Sequence, residues 1–193
     1  MKYLLLAACA ALIPGLAAAT PAFLPTRDVQ VDYTLSGTGQ APQNYQLSYN
    51  AQHQLARVDS PNGFFVLADL PRGEAKLVVP ALHAIVSAPD FSALTAEISQ
   101  ADGANFSPLG QGHYAGLACR NYLVTNQHGS ATACLTRDGV VLHFVGHDAH
   151  GGADVTATAV NFGPQPADGF MPPPGFAPLN LPPGAVAALL QQH

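Results

Sequence analysis

The chain has 193 residues, 48% of them hydrophobic, only 10% charged and none of them Trp, a composition that supports one ordinary domain and leaves little room for a second. Its formal net charge of -5 excludes the electrostatic attraction that brings proteins to nucleic acid or to anionic bilayers. No Gly-x-Ser-x-Gly, His-Glu-x-x-His or phosphate-loop pattern occurs, and Gly110-Gln111-Gly112 with Gly116 fails as a dinucleotide loop because the last glycine is one residue late and no helix follows. The reading is therefore of a protein that is not an enzyme and carries no cofactor.

The N-terminus reads as an export signal. Lys2 is followed by an apolar run from Tyr3 to Ala19, ending in Ala17-Ala18-Ala19 before Thr20-Pro21, and cleavage is expected after Ala19. The run is shorter than the roughly 20 residues that span a bilayer, so no transmembrane segment is expected after cleavage. Leu6-Ala7-Ala8-Cys9 imitates a lipoprotein processing box, but the apolar segment ahead of Cys9 is too short for a signal core, and lipid anchoring at Cys9 is not expected. The mature protein then belongs in the periplasm or outside the cell.

Val29, Val31, Tyr33 and Leu35 alternate with Asp28, Gln30, Asp32 and Thr34, the period of two that marks a half-buried strand. Tyr45 to Tyr49 repeats it, and His53 to Asp59, Phe64 to Leu70, Glu74 to Val79 and Leu82 to Ser87 are further strands, set apart by turns rich in Gly and Pro. Phe91, Leu94 and Ile98 recur at spacings of three and four after Asp90, which predicts one short amphipathic helix ending at Asp102-Gly103. Four more strands follow at Leu117 to Thr125, Ser130 to Thr136, Val140 to His147 and Asp154 to Phe162, with Asp138-Gly139 as a hairpin signal. The fold class is mainly β: a curved antiparallel sheet of about ten strands, an incomplete barrel, with one or two short helices over its concave face.

With Cys9 removed, Cys119 and Cys134 remain, and two cysteines in an exported protein suggest one disulfide. Pairing of the two strands around Asn126-Gln127-His128-Gly129 is expected to set Cys119 opposite Cys134, within disulfide reach. Further on, His143, His147, Asp148 and His150 form the one local cluster with ligand chemistry. His143 and His147 lie about 13 Å apart along a strand, too far to share an ion. His147, Asp148 and His150, at a turn made by Gly151-Gly152, are the residues that a weak Zn²⁺ or Cu²⁺ site would use, against the plainer reading of a solvated turn. The tail, residues 164–193, is Pro-rich and expected to be extended, packing through Phe170, Met171, Phe176 and Leu179, with a short helix from Ala185 to Gln192. The single folded domain is thus expected over residues 20–163.

Gly116-Leu117-Ala118-Cys119 and Ala133-Cys134-Leu135-Thr136-Arg137-Asp138-Gly139-Val140 resemble the two successive motifs, G-x-x-C and A-C-(V/L)-T-x-D-G-V, of a family of exported bacterial proteins with an uncharacterised domain. That family is similar to the lipoprotein-carrier (LolA-like) superfamily, whose members are open antiparallel half-barrels around helices with an apolar concavity for acyl chains. The resemblance implies a non-enzymatic exported half-barrel that binds or carries a lipid or lipoprotein acyl chain, with Phe64, Phe91, Leu94 and Ile98 facing the ligand. An interior filled by Phe, Leu and Val side chains fits the same strand pattern equally well, and would make the protein an envelope interaction or structural module instead.

Overall fold

A computed structural model describes residues 21–37, 41–87, 104–126, 129–148 and 151–180. The expected export signal, the Asp90 to Ile98 helix with Phe91, Leu94 and Ile98, and the Ala185 to Gln192 helix fall outside the described residues. Twelve strands build one open sheet: β1 (Val29–Gly37), β2 (Gln43–Asn50), β3 (Leu55–Asp59), β4 (Phe65–Asp69), β5 (Glu74–Val79), β6 (Ala84–Ser87), β7 (Asn105–Tyr114), β8 (Leu117–Asn126), β9 (Gly129–Leu135), β10 (Val141–Asp148), β11 (Gly151–Phe162) and β12 (Ala177–Asn180). Their order across the sheet is β12-β6-β5-β4-β3-β2-β1-β11-β10-β9-β8-β7, curved and not closed. The mainly β, half-barrel expectation is thus met, with twelve strands among the described residues against the ten or so expected.

The order has a simple logic. From β1 the chain meanders outward through short hairpins to β6, and from β7 it meanders back through β8, β9 and β10 to β11, which pairs antiparallel with β1 from Val29 opposite Phe162 to Gly37 opposite Ala153. Every pairing is antiparallel except the last, in which β12 runs parallel to β6. The bends come where the sequence supplies turn residues. Gly139 follows Asp138 with φ 81°, the conformation glycine adopts without penalty, in the hairpin between β9 and β10. Gly151 and Gly152, by contrast, are strand residues that pair with Asp148 and His147, not the turn itself.

The sheet curls at its β7 end. Tyr114 of β7 and His143 of β10 stand three strands apart, about 14 Å in a flat sheet, yet their rings stack with centroids 4.7 Å apart. The larger apolar cluster fills this region, joining Val29, Val31, Tyr49, Val140, Leu142 and Ala157 with Cys119 and Cys134, and the chain ahead of β1 closes onto it through Leu24. That leading segment is also tied down by Thr26 N donating to Asp138 O at 2.9 Å and by Arg27, which pairs with Asp138 at 3.0 Å and lies 3.6 Å over the Phe162 ring.

The disulfide joins Cys119 and Cys134, but not by direct opposition. Asn121 is the residue across from Cys134, and Cys119 faces Gly112 of β7, so the bond runs diagonally. The curl draws the two Cα atoms to 5.5 Å, closer than the 7–8 Å typical of diagonal neighbours in a regular ladder. Both sulfurs lie over Gly112: a Cβ there would stand 2.6 Å from Cys134 Sγ and 3.2 Å from Cys119 Sγ.

Candidate ligand-binding face

Directly paired residues in a ladder point to the same side of a sheet, so the register defines its faces. Val86, Leu77, Val66, Val58, Leu47, Val31 and Val160 are paired in succession across β6, β5, β4, β3, β2, β1 and β11. They form one unbroken apolar row over seven strands, about 29 Å long if flat at 4.8 Å per step. Two residues along each strand a second row runs through Ala75, Ala68, Ala56, Tyr49, Val29 and Phe162. Its three alanines leave a strip of low relief beside the larger Val and Leu side chains.

The apolar row is unevenly covered. Val31, Leu77 and Val86 are fully buried, whereas Leu47, Val58, Val66 and Val160 keep part of their surface. Phe64, expected to face a ligand, is half-buried on this face against Ala75, Leu77 and Val86. Of the four residues expected there it is the one that the described residues include.

The opposite face is polar in its middle. Asp59, Gln46 and Asp32 are successive partners, and Gln46 Nε2 donates to Asp32 Oδ1 at 2.8 Å. Arg57 binds Asp59 through both Nε and Nη2 and lies 4.0 Å over the Phe65 ring. The segment after β11 straps across this face. Asp28 accepts from Gln165 N and Ala51 N, both at 2.8 Å, and the buried Asn50 donates to Gln165 O at 2.6 Å while accepting from His53 N at 2.8 Å. A 3₁₀ turn, Ala167–Phe170, then buries Phe170, and Phe176 packs on Phe65, Leu67 and Val78. Between strap and sheet lies a cleft of about 400 Å³ of mixed character, lined by Gln46, Arg57, Asp59, Gln165, Pro166 and Phe170 among others. The tail thus packs through Phe170 and Phe176 as expected, but Met171 and Leu179 are exposed, at 65% and 39%.

Of the histidine cluster, His143 is the member whose side chain is described. His143 turns to Asp154, with Nε2 3.2 Å from Oδ1, and Thr156 Oγ1 donates to the same oxygen at 3.1 Å. His147 and Asp148 occupy the end of β10; their side chains and His150 lie outside the described residues. No group of three metal-ligating side chains occurs among the described residues. Burial raises the pKa of Tyr33 strongly, and its hydroxyl donates to Val141 O at 2.7 Å; burial also raises that of Tyr49.

The fold is found in proteins of known structure. An uncharacterised conserved protein from Thermus thermophilus aligns over 81% of this chain and 91% of its own, with TM-score 0.58 and 14% identity. In the complex of Pseudomonas aeruginosa MucA and MucB the match covers 75% of this chain and 55% of that one, with TM-score 0.50 and 16% identity. The chain shares their fold. It spans about half the length of the chain matched in that complex. A LolA superfamily protein from Nitrosomonas europaea also aligns, over 77% of this chain and 91% of its own, at 8% identity and with TM-score 0.39. No family model and no curated protein matches the sequence. The sequence points to the packing of the tail through Phe170 and Phe176 but not to the Asp28–Asn50 latch, because neither residue belongs to a motif and their partner Gln165 lies more than a hundred positions away.

Proposed function

We propose that this protein is an exported, non-enzymatic half-barrel that holds an acyl chain against the row Val86–Leu77–Val66–Val58–Leu47–Val31–Val160. The continuity of that row carries the reading: seven strands contribute an apolar residue at the same level, with an alanine strip beside it. One leaflet of a bilayer core is about 15 Å deep, so the row is long enough for one chain laid across the strands. Because Val31, Leu77 and Val86 are already buried, the ligand enters by displacing cover rather than by filling an empty trough. Phe64, and from the sequence Phe91, Leu94 and Ile98, are the contacts proposed to line it. The periplasm is the proposed location, from the apolar N-terminal run and from the disulfide, which persists in oxidising compartments.

The test is mass spectrometry of organic extracts from the protein purified from two expression hosts, with Phe64→Ala alongside. A recurring lipid at near-stoichiometric amount, reduced in the variant, supports the proposal. Lipid-free protein from both hosts rejects it. A second reading, capture of a polypeptide, is favoured by the MucA/MucB complex; its signature is a protein co-purifying in fixed ratio with no lipid present.

A further inference from the structure

The margin of the sheet at β6 is closed by a strand unlike the other eleven. β12 has four residues, makes the sheet's parallel pairing, and exposes Ala177, Pro178 and Leu179. Ala177 N donates to His83 O at 2.8 Å, so the alternation of the backbone turns Pro178 outward, where its missing N–H costs nothing and another strand finds no donor. Beneath it the margin is not built for water: Val86 is fully buried and Ala84 is 6% exposed. The segment is held chiefly by Phe176, seated on Phe65, Leu67 and Val78, with its ring 5.4 Å from that of His83. Upstream the next firm anchor is the buried Phe170. Between the two anchors run Met171, Pro172, Pro173, Pro174 and Gly175, mostly exposed, a spacer that favours an extended polyproline conformation of about 3.1 Å per residue.

We propose that the Phe176–Asn180 segment is exchanged between two copies of this chain, each β6 margin accepting the β12 of its partner. The chemistry that fits the margin in one chain fits it equally in a second, so the packing and pairing given up on release are restored in the pair. The stiff spacer beyond Phe170 is the hinge. Once β12 is released, the margin has apolar Val86 and an unpaired backbone edge, which favours exchange over standing open. The second copy is the favoured occupant because a segment of this chain is what the margin holds here.

The experiment mixes two full-length variants, Val86→Cys and Leu179→Cys, whose positions are paired in the register. Neither variant alone can link β6 to β12 within one chain. The mixture is partly unfolded in denaturant, refolded and oxidised, and linked chains are mapped by peptide mass. A species joined at positions 86 and 179, its ratio to monomer rising about tenfold for each tenfold rise in concentration while monomer dominates, supports exchange. The double variant, Val86→Cys with Leu179→Cys, shows that the positions link within a chain. If it does and the mixture does not at any concentration, exchange is rejected. Dimers joined through two copies of position 179, or a foreign polypeptide on the margin of monomeric protein, also reject it. Ala84→Cys with Ala177→Cys repeats the design with smaller changes if the first pair fails to fold.

Discussion

Gly112→Ala tests the placement of the disulfide more sharply than removal of the bond does. The added methyl would lie 2.6 Å from Cys134 Sγ, 3.2 Å from Cys119 Sγ and 3.3 Å from Asn121 Nδ2, and a disulfide cannot swing aside as a long side chain can. Overpacking of this kind costs about 1–3 kcal/mol. The bond closes a 15-residue separation and is worth about 3 kcal/mol from chain entropy alone, so the oxidised variant should keep its cross-link and fold around it at a loss. In a Cys119→Ala/Cys134→Ala background both sulfurs are gone, and the same methyl should cost less than about 1 kcal/mol or fill the space they left. Urea titration of the four proteins gives the coupling directly, and thermal midpoints should move by about 2–4 °C per kcal/mol in a chain of this size. An equal penalty for Gly112→Ala with and without the cysteines would refute the diagonal placement over β7.

Other residues yield independent expectations. Tyr33→Phe leaves Val141 O without its partner and should cost about 1 kcal/mol in denaturant melts. Because burial raises the folded pKa of Tyr33, its stabilisation is complete below the unfolded value of about 10 and is lost as pH climbs beyond it; wild type should weaken above that pH more steeply than Tyr33→Phe, with Tyr49 keeping some slope in both. Asn50→Ala strips partners from Gln165 O and His53 N, and a loss of about 1–3 kcal/mol is expected, with faster proteolysis inside residues 163–176 by peptide mapping; uniform proteolysis along the chain would count against the latch. Gly116 has φ 74° and open space around its Cα, so Gly116→Ala should cost about 1 kcal/mol from backbone strain alone, and a neutral result would show that the β7–β8 turn relaxes freely.

Strands with one buried face were the legible part of this fold. β1 and β2 alternate Val, Tyr and Leu with polar residues because one side meets the core, and β11 alternates apolar and polar residues from Ala153 to Ala159. β7 was illegible because it is an outer strand: Pro108, Gly110 and Gly112 interrupt its run, and only a margin tolerates them, with a bulge between Pro108 and Gly110. β12 hid in the same way behind Pro178. The cysteine pair could be read from composition, but its register could not, since a shift of two residues leaves the pattern of faces unchanged. Of the candidate site, Phe64 was legible as an apolar residue at a strand entrance. The row it borders emerges only when the registers of seven strands are laid side by side.

The seam between β1 and β11 sets the order in which this molecule can assemble. Every hairpin from β1 to β6, and from β7 to β11, joins neighbours in sequence and can zip as soon as both arms exist, whereas Val29 must wait for Phe162. A chain made from its N-terminus therefore presents the bare flank of β1 to its surroundings until nearly the whole length has emerged, and for that interval the flank is open to pairing with another strand. The last strand to arrive on that side welds two half-finished meanders into one wall.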